Sequence, residues 1–290
     1  MSCDTASDLP TPPNLTTASN STAPVQLQYV DEIALLTLNR AEAGNSIDES
    51  MASELIRVAS RIANEGRAAA LVVTGRGKLF CGGGDLIGFR STANQGTDAL
   101  GRHVRSLAER LHEGLAALQD LQLPWVSAVN GSAGGAGLSL VLASDIAFAR
   151  PGDKFAAAYA ELGLATDAGL SWWLPRKIGH ALAVEMILGS RSLTAAEAKD
   201  IGLISAVIDG AEELFVSSVV DHARNLCRGT RASRSASLTL LRESWSRSLA
   251  DQRRLEACVM GDLAGSDLVR ARVLALGKAA SNADYKIPAI

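Results

Sequence analysis

From residue 25 to residue 210 the chain alternates short apolar runs with stretches whose apolar positions recur every three or four residues, the pattern of strands feeding helices. Ile33–Leu38, bounded by charge, reads as a buried strand. Ile47, Met51, Leu55, Val58 and Ile62 follow at helical spacing, and Ser46 with Glu49 predicts a capping box at the start of that helix. Residues 70–74 form the next predicted strand, closed by Gly75-Arg76-Gly77. Residues 91–96 are polar and predict a mobile loop. Leu100, Val104, Leu107, Leu111, Leu115, Leu118 and Leu121 then mark a long amphipathic helix, on which His103 and His112 read as solvated surface histidines.

The stretch 124–145, PWVSAVNGSAGGAGLSLVLASD, organises what surrounds it. An apolar run from Trp125 to Val129 predicts a buried strand; Asn130-Gly131 is a turn dipeptide, and 138–143 predicts a buried helix. A strand that enters a helix through small residues brings free backbone N–H groups and the positive end of the helix dipole to one place, where a phosphate or a developing oxyanion could sit. Gly134, Gly135 and Gly137 equally suit tight packing of that helix on a sheet. A second glycine stretch, KLFCGGGDL at 78–86, follows a strand. Three consecutive glycines permit positive φ and close approach of backbone to a ligand, or make a plain flexible loop. No His neighbours Cys81 to activate it, so a small buried residue is its reading.

Residues 145–149 predict another strand, and 155–174 is irregular. It carries two carboxylates, Glu161 and Asp167, the second close to Trp172 and Trp173. An apolar, partly desolvated setting would raise the pKa of Asp167 toward working pH; the other role open to it is a helix N-cap. Residues 176–189 and 194–202 predict short helices, the latter with a capping box of Thr194 and Glu197, and 206–208 a terminal strand. Beyond residue 212 the pattern is helical with no strand candidate. The chain thus divides into a Ser-, Thr- and Pro-rich tail (1–24) with little to bury, expected to be disordered, a folded core (25–210) and a helical C-terminal subdomain (211–290).

Composition narrows the classes. The 290 residues are 47% hydrophobic but only 4% aromatic, so aliphatic side chains fill the core. A net charge of −3 gives no electrostatic ground for nucleic acid or an anionic membrane as partner. Cys3, Cys81, Cys227 and Cys258 show no pairing or metal-ligand spacing, which predicts no metal site and suits a reducing cytoplasm. No apolar run reaches the ~18 residues of a membrane span, and the N-terminus lacks the basic and apolar regions of a secretory signal.

Taken in order, five landmarks resemble the crotonase (enoyl-CoA hydratase/isomerase) superfamily over roughly residues 28–275. They are Asn39-Arg40 through Asn45-Ser46-Ile47-Asp48, then Phe80-Cys81-Gly82-Gly83-Gly84-Asp85-Leu86, then Ala128-Val129-Asn130-Gly131 with Gly134-Gly135-Ala136-Gly137, then Ser144-Asp145, and finally 193–198 with Gly202-Leu203-Ile204. The resemblance implies an α/β fold, a spiral of ββα repeats with a helical C-terminal trimerisation part, assembling as a trimer or dimer of trimers. It also implies an acyl-CoA thioester as partner, coenzyme A being part of the substrate and no separate cofactor being needed. Carried over, the thioester oxygen would sit between the N–H groups of Gly84 and Ala136, and the backbone of Gly82, Asp85 and Leu86 would hold the adenine end. Preorganised donors at that oxygen stabilise the charge that develops when a proton leaves the α-carbon.

Hydratases of the superfamily use two glutamates, and at the aligned positions this chain has Ser139 and Tyr159. Only a shift of register would bring Glu161 to the second. Residues 162–169 with Trp172 and Leu174-Pro175-Arg176 resemble instead the enoyl-CoA isomerase branch, near the phenylacetate-pathway type, in which an acidic residue at the place of Asp167 is the catalytic carboxylate. Thr166, Leu170 and Ala43 depart from that branch's usual proline, glycine and lysine. The expected activity is double-bond isomerisation, with a hydratase using Glu161, or a catalytically silent acyl-CoA- or RNA-binding oligomer, as alternatives.

Overall fold

The computed structural model describes residues 22–280, with side chains to residue 275, so the expected tail lies outside the described residues up to residue 21. Four successive windings build the core. The first is β1 (Val25–Val30), β2 (Ile33–Leu38) and α1 (Glu49–Glu65). The second is β3 (Ala70–Gly75), β4 (Leu79–Cys81), α2 (Leu86–Ala93) and α3 (Thr97–Gln119). The third is β5 (Trp125–Val129), β6 (Ser132–Gly134) and α4 (Ala136–Ala143). The fourth is β7 (Ile146–Ala149), β8 (Lys154–Ala156), α5 (Leu170–Ile178) and α6 (His180–Leu188). It closes with β9 (Ser192–Thr194), α7 (Ala195–Asp200), β10 (Ala206–Val207) and α8 (Glu212–Asn225).

The first winding lays both its strands in one sheet, and each later winding contributes strands to two sheets. The larger has the order β1-β2-β3-β5-β7-β10, parallel from β2 onward, and the smaller has β4-β6-β8-β9. This is the expected α/β spiral of ββα repeats. Its central strands are buried along their whole length because both sheet faces are covered. Leu71, Val73 and Trp125 pack with Met51 and Leu55 of α1 on one face; Val72, Val126 and Phe148 pack with Phe215, Val219 and Val220 of α8 on the other. One compact unit therefore runs to Cys227, past the boundary expected at 210, because α8 supplies that second cover. A second unit from Arg228 holds α9 (Arg231–Arg242), α10 (Leu249–Ala264) and α11 (Asp267–Ala280), and its helices leave Leu241, Trp245, Leu249 and Met260 exposed. Among the described residues no helix is long and apolar enough to cross a membrane.

Three local expectations are corrected. Asp48, not Ser46, caps α1, its carboxylate accepting the Met51 N–H at 2.8 Å, because Ile47 is drawn into a bridge with Gly84 and keeps the chain extended to that point. The first half of the loop expected at 91–96 is the end of α2, a helix that Asp85 caps through the N–H groups of Ile87 and Gly88. The helix expected from residue 176 is two helices that begin at Leu170 and break at Gly179, whose φ of 83° only glycine takes easily.

Candidate active site

Two backbone loops and one carboxylate share a cavity of about 740 Å³ within the first unit. The first loop is 82–84. The Ile47 N–H donates to Gly83 O at 2.7 Å and the Asp85 N–H donates to Ile47 O at 3.0 Å. Extended backbone alternates the direction of its N–H groups, so the N–H of Gly84 points away from Ile47. Gly83 holds φ at +106°, and a Cβ on it would stand 3.1 Å from Gly134 O and 3.6 Å from the amide nitrogen of Ala136. The two loops thus meet backbone to backbone.

Ala136 opens α4, where an N–H has no carbonyl one turn back and the helix dipole is positive. Neither this N–H nor that of Gly84 donates to another described residue. Helix α4 is buried at all eight positions. It lies so close to β4 that a Cβ on Gly137 would fall 2.2 Å from the carbonyl oxygen of Cys81. The tight-packing reading of these glycines and the donor reading therefore both hold, at neighbouring residues. Cys81 itself is buried, and desolvation pushes its thiol up to about 12, so it stays protonated and inert.

Among the described residues Asp167 is the one carboxylate lining the cavity. It does not cap α5: Gly169 stands at that cap with no side-chain bond. Its Oδ1 instead accepts the Tyr159 hydroxyl at 2.5 Å, and its carbonyl accepts Ser139 Oγ at 3.3 Å. Burial first, and then the charge of Asp167, hold the Tyr159 phenol well above its ordinary range. His112 does more than face solvent: its Nε2 accepts the Ala168 N–H at 2.9 Å.

The remaining expected residues divide. Gly82 and Leu86 line the cavity with Gly84 and Ala136. Asp85 does not; its N–H and C=O are taken by Ile47 and Phe89, and its carboxylate by the α2 cap and Arg40 at 3.2 Å. Burial opposes ionisation of Asp85, but Arg40 and the capping N–H groups outweigh it and hold the carboxyl below its ordinary range. Glu161 is exposed and Trp172 is 39% exposed beneath the guanidinium of Arg176; neither lines the cavity. Sequence reasoning took Tyr159 only as a missing glutamate and overlooked Phe89 and Arg105 as cavity walls. A lone phenol within the small-residue run AAAYA was the available signal.

The family model described as enoyl-CoA hydratase/isomerase matches residues 29–275. A Rhodobacter capsulatus protein named "Probable enoyl-CoA hydratase" is 34% identical over 243 residues, 83% of this chain and 90% of its own length. The Escherichia coli 1,2-epoxyphenylacetyl-CoA isomerase is 34% identical over 201 residues, 69% of this chain and 75% of its own. An enoyl-CoA hydratase structure from Polaromonas sp. JS666 superposes with a TM-score of 0.79 at 26% identity, over 88% of this chain and 97% of that one. Sequence and shape agree: the chain belongs to the enoyl-CoA hydratase/isomerase family, within the crotonase superfamily.

Proposed function

We propose that this acyl-CoA enzyme is an enoyl-CoA isomerase, moving a double bond from C3–C4 to C2–C3 through an enolate held by the Gly84 and Ala136 N–H groups, with Asp167 as acid and base. One observation carries the reading: among the described residues Asp167 is the single carboxylate lining the cavity that Gly84, Ala136 and the apolar wall also line. One carboxylate suffices for a proton shuttle, whereas holding and splitting a water between two needs a second. Asp167 takes the C2 proton as the C–H pair moves into the C1–C2 bond and the thioester C=O pair moves onto oxygen. The C=O bond then re-forms, the C1–C2 pair becomes the C2–C3 double bond, and the C3–C4 pair takes the proton back at C4. Donors aimed at the oxygen lower both barriers.

The apolar walls, Leu100, Val104 and Leu111 among them, suit an acyl chain or ring, and no metal or separate cofactor enters the scheme. The exposed apolar residues of α9 and α10 support a trimer or dimer of trimers, and the free thiols of Cys81, Cys227 and Cys258 support a cytoplasmic protein.

Hydration remains the second reading, favoured by the name of the Rhodobacter relative; it would have to recruit Glu161 from outside the cavity lining. The test is conversion of 3-enoyl-CoA to 2-enoyl-CoA by the wild type and Asp167→Asn. A loss of about 10²–10⁴ in the variant is expected. Equal rates would make Asp167 structural, water addition to 2-enoyl-CoA without isomerisation would establish a hydratase, and thioester binding without turnover a silent binder.

A further inference from the structure

We propose that Tyr159 is the positioning residue of this site: its hydroxyl, set beside Ser139, occupies Asp167 Oδ1 and leaves Oδ2 as the one oxygen that carries the proton. The inference rests on the reading of Asp167 as acid and base.

Four observations converge on the pair. The Tyr159 hydroxyl donates to Oδ1 at 2.5 Å, at the short end of the charge-assisted range. Tyr159 is 9% exposed, and its ring lies beside the second glycine loop, where a Cβ on Gly135 would come into ordinary contact with the ring carbon bearing the hydroxyl at 3.9 Å. Burial holds the ring in place. The Asp167 side is pinned as well, its carbonyl by Ser139 at 3.3 Å and the next N–H by His112 at 2.9 Å. Lastly, two alanines with positive φ flank the partners, Ala158 at +58° before Tyr159 and Ala168 at +50° after Asp167. Non-glycine residues avoid that region, and such strain persists where surrounding contacts over-determine the backbone. Here it brings two side chains eight positions apart in an irregular loop onto one hydrogen bond.

The chemical consequence follows from the symmetry of a carboxylate. A free one offers two equivalent oxygens and turns easily about its terminal torsion. With Oδ1 tied to a phenol that keeps its own proton, the proton taken from C2 resides on Oδ2 and leaves from the same atom to C4. Proton pick-up and delivery then occur on one face, and the proton is partly retained instead of being lost to water.

Tyr159→Phe deletes only the hydroxyl, and a thermal melt checks that the variant folds. Carboxyl-labelled aspartate followed by NMR, with the Asp167 signal assigned by its absence in Asp167→Asn, reads the site without any turnover. At one fixed pH the Asp167 carboxyl signal is expected to move in Tyr159→Phe, which loses the bond to Oδ1, and to move by a smaller step in Ser139→Ala and His112→Gln, which bond only the neighbouring backbone. In the isomerisation assay, kcat of Tyr159→Phe should fall about tenfold to hundredfold with KM within about threefold, and deuterium uptake from solvent at C4 should rise. An Asp167 carboxyl signal that stays in place in folded Tyr159→Phe overturns the proposal, as does an unmoved kcat where the wild type isomerises. A signal that moves in Tyr159→Phe when the wild type does not isomerise supports the positioning role and defeats the isomerase reading alone. Should Tyr159→Phe fail to fold, Ser139→Ala decides by the same two measurements.

Discussion

A methyl group at position 137 tests whether the spacing of the two backbone donors governs turnover. On Gly137 it would stand 2.2 Å from the carbonyl oxygen of Cys81, 2.8 Å from its Cβ and 2.9 Å from its carbonyl carbon. Two of these atoms are backbone and cannot rotate away. Restoring an ordinary carbon–oxygen contact of about 3.2 Å requires α4 and β4 to part by ~1 Å. Ala136 is the preceding residue on α4 and Gly84 lies three residues past Cys81, so the opening passes directly to the donor pair. Misplacement on that scale costs about 10² in rate, and loss of one donor costs about 10²–10³ in kcat, or about 2.7–4 kcal/mol. The overpacking itself destabilises the fold by about 1–3 kcal/mol. Gly137→Ala is therefore expected to melt earlier, to bind acyl-CoA within about threefold of wild type by calorimetry, and to lose about 10²–10³ of kcat for the wild type's own enoyl-CoA reaction. Cys81→Gly should not rescue it, since the nearest atom is a carbonyl oxygen. A folded Gly137→Ala enzyme with kcat within about threefold of wild type would refute the role of donor spacing.

Three further outcomes are expected. Arg40, 19% exposed, donates to Ser46 O at 2.6 Å and pairs with Asp48 and Asp85. The depressed Asp85 pKa adds stability above the unfolded carboxylate value of about 4 and loses it as pH falls through the folded value, so denaturant titrations should separate wild type from Arg40→Ala at pH 7 and bring them together in acid. Asn45, fully buried at φ +53°, bonds Arg76 O, Leu79 O and the Arg40 N–H; Asn45→Ala strands these groups and should lower unfolding free energy by about 2–4 kcal/mol in a urea titration. Of the described cysteines, exposed Cys258 should react first with a thiol reagent and Cys81 only on unfolding, as mass spectrometry of timed samples would show.

Local pattern and tertiary contact contributed differently to what could be foreseen. Strands Ile33–Leu38 and Trp125–Val129, helices α1 and α3 and the Thr194–Glu197 capping box follow from periods and spacings within a few residues, and each stands in the structure. The second sheet was not foreseeable in this way, because strands of three residues such as Leu79–Cys81 and Ser132–Gly134 are too short to display a period.

By itself the sequence determined the order of the windings, the two glycine loops and the family, because these reside in short motifs whose chemistry is local. Only the tertiary structure decided that α8 belongs to the core, that Asp48 displaces Ser46 at the cap, that Glu161 and Trp172 stand off the cavity, and that Tyr159, Ser139 and Asp167 form one cluster. The reason is physical. Periodicity records which side of an element is dry, but which two groups touch across a loop of eight residues depends on where every other winding has placed its backbone.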